Sequence, residues 1–349
     1  MIRSLRPTSA PPSTRRRRHT RFKKKKSKKR NKNKKDAVPL PNIIRPLTAP
    51  STRRNHTINN IDVFRNPNDA YSIGQMHTTK KDRKAIQYFI LAAEQGHQRS
   101  QFSLSMMFKK QGNVSRCKSI LRHIIQIKSA VQAKAMVELG DIYQNEANLM
   151  ESVALYQLSA NLNYAVGQFR IGKCYIEGIG IKKNKLFGTK YLERSAQQNY
   201  IDAQIYLGCY YFNQSKDSTI DKNYRKKISH MAVHWWKIAA NYGSKEGQYY
   251  LAMAELNYYG GCKRDESYIA KLFLLSAKQN HVKSQIEIAK CYYYGIGIKK
   301  DYKLAAKYYR IAGNNGSKKA LKCLQAMHKL NLDMPSNYPI GLRNYKVTE

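Results

Sequence analysis

Six helical-looking segments of this chain end on Gly or Asn at nearly constant intervals, and that spacing constrains the fold more than any other feature. The residues are Gly96, Asn163, Asn199, Gly243, Asn280 and Gly316, separated by 67, 36, 44, 37 and 36 residues. The first gap is wide enough for two units, so a period near 36 runs seven times. Self-similarity at such a period is the mark of a stack of equivalent supersecondary units. Gly and Asn suit the position because the residue after a helix's last turn commonly adopts a left-handed conformation.

Counted from each of these origins, side-chain size alternates in register. Four residues on stand Ser100, Gly167, Ala203, Gly247, Ser284 and Ala320, and nine on stand Ser105, Gly172, Gly208, Ala252 and Ala289. Seven and eight residues before, the chain places bulk: Tyr88 and Phe89, Leu155 and Tyr156, Tyr191 and Leu192, Trp235 and Trp236, Leu272 and Phe273, Tyr308 and Tyr309. Large side chains facing small ones allow helices to pack closely. The pattern predicts a helix hairpin whose first helix ends at the origin and whose second carries the small columns against it. The near-copies YIEGIGIKKN (Tyr175–Asn184) and YYYGIGIKKD (Tyr292–Asp301) then fall in connectors between units, where Gly178, Gly180, Gly295 and Gly297 permit positive φ. The 44-residue gap comes from an inserted polar stretch, Asn213 to Lys227, in one connector.

Three regions follow from composition. Residues 1–79 lack sustained apolar periodicity and read as a disordered basic tail, 80–332 as the helical array, and 333–349 as a short C-terminal tail. The net charge of +42 is uneven: residues 1–35 carry 17 basic and no acidic residues, and 80–332 carry 41 basic against 17 acidic. Such an imbalance favours polyanionic partners and says nothing about fold. The six cysteines have no CxxC spacing and do not read as a disulfide framework, so a reducing compartment is expected. No apolar run approaches bilayer length, and residues 1–20 lack a secretory apolar core. The Arg-rich start overlaps a mitochondrial presequence, but its prolines and Lys run fit an amphipathic presequence poorly. The expected location is intracellular, nuclear or cytoplasmic.

The segments AAEQGHQRSQFSL, SAQQNYIDAQIYLGCYY and SAKQNHVKSQIEIAKCYYYGIGIKKDYKLAAKYY resemble the Sel-1-like repeat family, with a recurring Gln at origin plus five (Gln101, Gln168, Gln204, Gln248, Gln285). The resemblance spans roughly residues 80–332. It departs around SILRHIIQIKSAVQAKAMVELGDIY, at Glu255, which replaces a usual aromatic, and in the last unit. It implies an all-α fold, a right-handed α-solenoid of about seven helix-hairpin repeats related to tetratricopeptide arrays, behind the disordered basic tail. It also implies a non-enzymatic adaptor that binds other proteins, with no catalytic residue and no cofactor.

Candidate chemistry is sparse. His230 and His234 stand at i, i+4 without the glutamate or third ligand of a zinc motif, and read as surface or packing residues. Cys174 and Cys291 share one register and read as core. The glycine-rich connectors follow no strand and lack a phosphate-loop lysine and serine. Of the tyrosines, Tyr258, Tyr259, Tyr293 and Tyr294 are the ones expected to show partial exposure. The segment from Arg15 to Lys35 holds 15 basic residues of 21, with Arg15, Arg16, Arg17, Arg18, Lys23, Lys24, Lys25, Lys26, Lys28, Lys29 and Arg30 as its dense part. It reads as a localisation signal or a clamp for nucleic acid or anionic membrane. Lys190, Lys237, Lys271, Lys307 and Arg310, on the first helices, vary inside a fixed frame. They are expected to line the inner face of the solenoid and to meet an acidic segment of a protein partner. The alternative reading is a nucleic-acid-associated protein that uses the arm and the cationic array.

Overall fold

The computed structural model describes residues 66–79, 84–262 and 264–329, all within one compact unit. Among them are fifteen α-helices and no strand. They run α1 Pro67–Thr79, α2 Lys84–Glu94, α3 Gln98–Lys110, α4 Val114–Gln126, α5 Gln132–Asn145, α6 Leu149–Asn161, α7 Ala165–Glu177 and α8 Lys185–Gln197. The series continues with α9 Ile201–Ser215, α10 Lys222–Asn241, α11 Lys245–Leu256, α12 Glu266–Lys278, α13 Val282–Tyr294, α14 Tyr302–Asn314 and α15 Lys318–Lys329. Each packs on its predecessor and successor, so odd and even helices form the two rows of an α-solenoid. The six origins all have positive φ, from 58° at Asn163 to 89° at Gly316, as a left-handed helix end requires.

The array begins before Lys80. Helix α1 lies in the stretch expected to be disordered, yet it carries ordinary start and stop signals: Asn68 N donates to Asn66 Oδ1 at 3.0 Å, Pro67 opens the first turn, and Asp69 and His77 complement the dipole. Its apolar content is low because it needs only one buried side. Ala70 is fully buried, and Gly74 faces Phe89 of α2, where a Cβ would stand 2.7 Å from Phe89 Cε1. Residues 1–65, which contain the basic arm, and the tail at 333–349 lie outside the described residues.

The hairpin phase also differs from expectation. Helices contact one another more extensively across the connectors than across the origin turns. The small residues nine beyond each origin face the helix that follows. A Cβ on Gly172 would stand 2.8 Å from Leu192 Cγ, and one on Gly208 would enter the Trp236 indole. The small residues four beyond the origin face backwards, since a Cβ on Gly247 would lie 2.6 Å from the Ala240 backbone nitrogen. Large does face small, but each odd helix is clasped on both sides, and the seven close pairs run from α1–α2 to α13–α14, with α15 as a cap. Ala252 and Ala289, the same column, are fully buried.

The two glycine-rich connectors are structural copies. Gly178 and Gly295 end α7 and α13 in left-handed conformation, their N–H groups donating to Cys174 O and Cys291 O at 2.8 Å. Asn184 and Asp301 then cap α8 and α14 by accepting from Phe187 N and Leu304 N. Between them, Gly180 and Gly297, each at φ +65°, rest on the first-turn backbone of α6 and α12. Ile179 and Ile181, like Ile296 and Ile298, pack half-buried on the core.

The glutamine column is a ladder. Each of the five is buried at origin plus five, and Gln101, Gln204 and Gln285 donate to the carbonyls of Ala93, Ala196 and Ala277, which also accept from the backbone N–H of the origin residues Gly96, Asn199 and Asn280. The amide oxygen accepts in turn from the residue just before the next origin: Gln198 Nε2 to Gln168 Oε1 at 2.8 Å, Gln279 to Gln248 at 3.1 Å and Asn315 to Gln285 at 3.2 Å. Gln101 Oε1 and Gln204 Oε1 are buried without a partner, and at Gln204 the exposed Tyr242 stands where that donor should be. Tyr242→Gln should complete the rung and stabilise the protein by about 1 kcal/mol, the usual net worth of satisfying one buried polar atom. A thermal midpoint unchanged or lowered by the substitution would show that the ladder carries no such energy.

Candidate partner-binding site

The two rows differ in what they present. Within the odd row α5 touches α7 directly. Side chains also bridge its members: Lys109 to Glu138 at 2.8 Å, Arg170 to Asp141 at 2.9 Å, and the Tyr206 hydroxyl to Glu177 at 2.9 Å. Small residues on two sides of each odd helix let that row draw together, while Trp235, Trp236, Phe273 and Tyr309 spread the even row. The odd row is therefore the inner one. Lys190, Lys237, Lys271, Lys307 and Arg310 lie on α8, α10, α12 and α14, so they belong to the outer row and not to the inner face where they were expected. The reason is the phase: the bulky columns beside them point back into the odd helices.

The four lysines are exposed and, among the described residues, form no ion pair, while Arg310 is half-buried. Helices α10 and α14 contain no acidic residue. Of the two carboxylates on α8 and α12, Glu193 accepts from the Tyr211 hydroxyl at 2.7 Å and Glu266 pairs with Arg264 at 2.8 Å. Exposed cations of this kind keep their hydration and reach anions over about one Debye length, ~8 Å at physiological ionic strength. Between α8 and α10 the row opens into a groove of about 490 Å³ lined by Glu193, Lys227, His230, His234 and Trp235.

The remaining candidate groups are structural. His230 and His234 are exposed one turn apart, and no third metal-ligating side chain joins them among the described residues. Burial pushes the thiols of Cys117, Cys174 and Cys291 up to about 11, so they stand protonated at neutral pH. His97 and His281 begin α3 and α13, each with Nδ1 beside a serine hydroxyl, and burial lowers both imidazoles. Tyr258 and Tyr294 are exposed, and Tyr259 and Tyr293 half-buried. At Glu255, burial raises the carboxyl and Oε2 has no hydrogen-bond partner. No helix among the described residues is long and apolar enough to cross a membrane. The basic arm from Arg15 to Lys35 lies outside the described residues.

Comparison with known proteins agrees with this architecture. The Sel1 repeat family model matches residues 69–97, 133–164, 165–200, 201–244, 245–281 and 282–317, units that begin on odd helices as the close pairs do. The pair α3–α4 falls between matches, although α3 carries part of the resembling segment AAEQGHQRSQFSL; the departing stretch from Ser119 to Tyr143 is matched from residue 133 on. Chitin synthase regulator SKT5 of Saccharomyces cerevisiae is 26% identical over 243 residues, 64% of this chain and 34% of the relative. Chitin synthase regulatory factor 3 of Schizosaccharomyces pombe is 25% identical over 215 residues, 58% of this chain and 22% of the relative. The chain thus spans about a third of the length of one of these curated relatives and about a fifth of the other. A protective antigen of uropathogenic Escherichia coli displaying an SLR fold superposes with a TM-score of 0.56 at 22% identity, covering 79% of this chain and 66% of that one. A Sel1 repeat protein from Oxalobacter formigenes gives 0.54 at 22%, covering 65% and 89%. With its periodic origins, two-sided small columns and six matched units, the chain belongs to the Sel1 repeat family.

Proposed function

We propose that this chain is a non-catalytic adaptor whose outer row, through Lys190, Lys237, Lys271, Lys307 and Arg310, binds an acidic segment of another protein. The observation that carries the reading is the separation of charge between rows: carboxylates sit largely on the inner row in ion pairs, while the outer row from α8 to α14 is cationic. Sel1 repeats and relatives named as regulators support an interaction role. In this reading the arm at residues 15–35 addresses the protein within the cell, to nucleus or cytoplasm, and adds a uniform attraction for anions. Capture of a synthetic Asp/Glu peptide by the chain lacking residues 1–35 isolates the array's own contribution. Lys237→Glu, Lys271→Glu and Lys307→Glu together should weaken that capture by about tenfold or more with helical circular dichroism unchanged. Full retention would place binding elsewhere, and tighter capture of an RNA of equal charge would favour a nucleic-acid-associated protein instead.

A further inference from the structure

We propose that the mouth between α1, α3 and α5, on the inner row, is a second docking pocket that takes one large apolar side chain flanked by carboxylates from a partner protein. This deepens the adaptor reading and uses a surface separate from the outer cationic row. The cavity holds about 640 Å³, within the range of about 300–1,000 Å³ that concave binding sites occupy. Its floor is aromatic. Phe89 and Phe102 are buried, the first seated by the absent Cβ of Gly74 and the second under Lys134, whose Nζ stands 4.8 Å from the ring centroid. Met106 and Met107 are half-buried in the wall, and thioether side chains adapt to the shape of an incoming group.

The rim decides the chemistry of the occupant. Arg99, Lys110 and Lys134 are exposed around the opening, and none of the lining residues is acidic. The nearest carboxylate along α5, Glu138, one turn beyond Lys134, is held by Lys109 at 2.8 Å. Farther along the inner row the Arg170–Asp141 pair closes the seam. An apolar floor under a ring of cations complements an aromatic or long aliphatic side chain with Asp or Glu on either side. The same charge excludes the chain's own arm, whose first 35 residues carry 17 basic and no acidic groups.

The test uses the full-length chain and a labelled peptide, Glu-Asp-Phe-Asp-Glu, beside Glu-Asp-Ala-Asp-Glu of equal charge, at physiological ionic strength. Attraction to the basic surface in general is common to both peptides, so their difference reads the pocket. The Phe peptide should bind about tenfold or more tighter than the Ala peptide, an advantage abolished in Met106→Asp and, independently, in exposed-site Lys110→Glu. A carbodiimide, which joins an amine to a carboxylate in contact, should link Lys110 or Lys134 to the peptide. Equal affinity for the two peptides, or an undiminished advantage in Lys110→Glu, overturns the proposal. So does a link from these lysines to a carboxylate of residues 330–349 or of a second copy, which would give the pocket a different occupant. The Lys237, Lys271 and Lys307 charge reversal should weaken both peptides alike and leave the advantage of Phe over Ala intact, so failure of the outer-row reading and failure of this one are distinguishable.

Discussion

Gly208→Leu should lower the stability of the array by about 1–3 kcal/mol, the ordinary cost of overpacking a filled core, and toward the upper end of that range. Gly208 is buried where α9 meets α10, and any Cβ there intrudes on the Trp236 indole. That ring cannot retreat, since it stacks on Tyr250 at 5.1 Å and leans on Phe212 at 5.5 Å. Ala252→Leu, one repeat on and fully buried, should act in the same direction. In a solenoid each interface is a nearest-neighbour term, so one forced interface splits the array into two weaker blocks. Thermal unfolding followed by far-ultraviolet circular dichroism measures this. Midpoints equal to the parent for both variants would mean that the size register does not describe the packing.

Gly297→Ala should be markedly more costly than Gly295→Ala, although the two glycines stand two residues apart in one connector. Both need positive φ, 78° at Gly295 and 65° at Gly297, which costs a non-glycine residue roughly 1–2 kcal/mol. At Gly295 a new Cβ meets Lys300 Cβ at 3.5 Å, an ordinary contact, so that strain is the whole expense. At Gly297 it collides with the Glu266 carbonyl at the start of α12, so the connector must lift off the helix it rests on. The total there should reach about 3 kcal/mol or more, adding overpacking to strain. Urea unfolding of the two single variants compares them directly, and equal losses would show that the close approach to α12 is not a constraint.

Much of this architecture was legible in the sequence because a helix end that must turn left-handed leaves few choices. Gly96, Asn163, Asn199, Gly243, Asn280 and Gly316 are those choices, and all six have positive φ. The phase of the close pairs was not legible. A periodic string looks the same from either starting helix, and small residues such as Gly167 and Gly172 line opposite sides of one helix, so size alone does not say which neighbour is nearer. That ambiguity carried the five outer-row cations to the wrong face. Helix α1 was hidden for a different reason: a terminal helix covers its neighbour on one side only, so Ala70 and Gly74 suffice and the apolar period never builds up. Its cap at Asn66 and the proline after it were the signals available. The pocket under Arg99, Lys110 and Lys134 draws on three helices and Phe89 of a fourth, a juxtaposition that no single stretch of sequence displays.

Contacts confined chiefly to neighbouring helices make this protein a ruler. The inner mouth belongs to the first five helices and the outer cationic row to the eighth through fourteenth, with α6 and α7 stacked between them. Neighbours within one row touch, as α5 does α7, so one unit of two helices gained or lost between the two faces would change their separation by one helix-packing distance, roughly 8–10 Å, without altering either. If both proposed faces are occupied, the copy number of an otherwise unremarkable unit would set how far apart two bound partners are held.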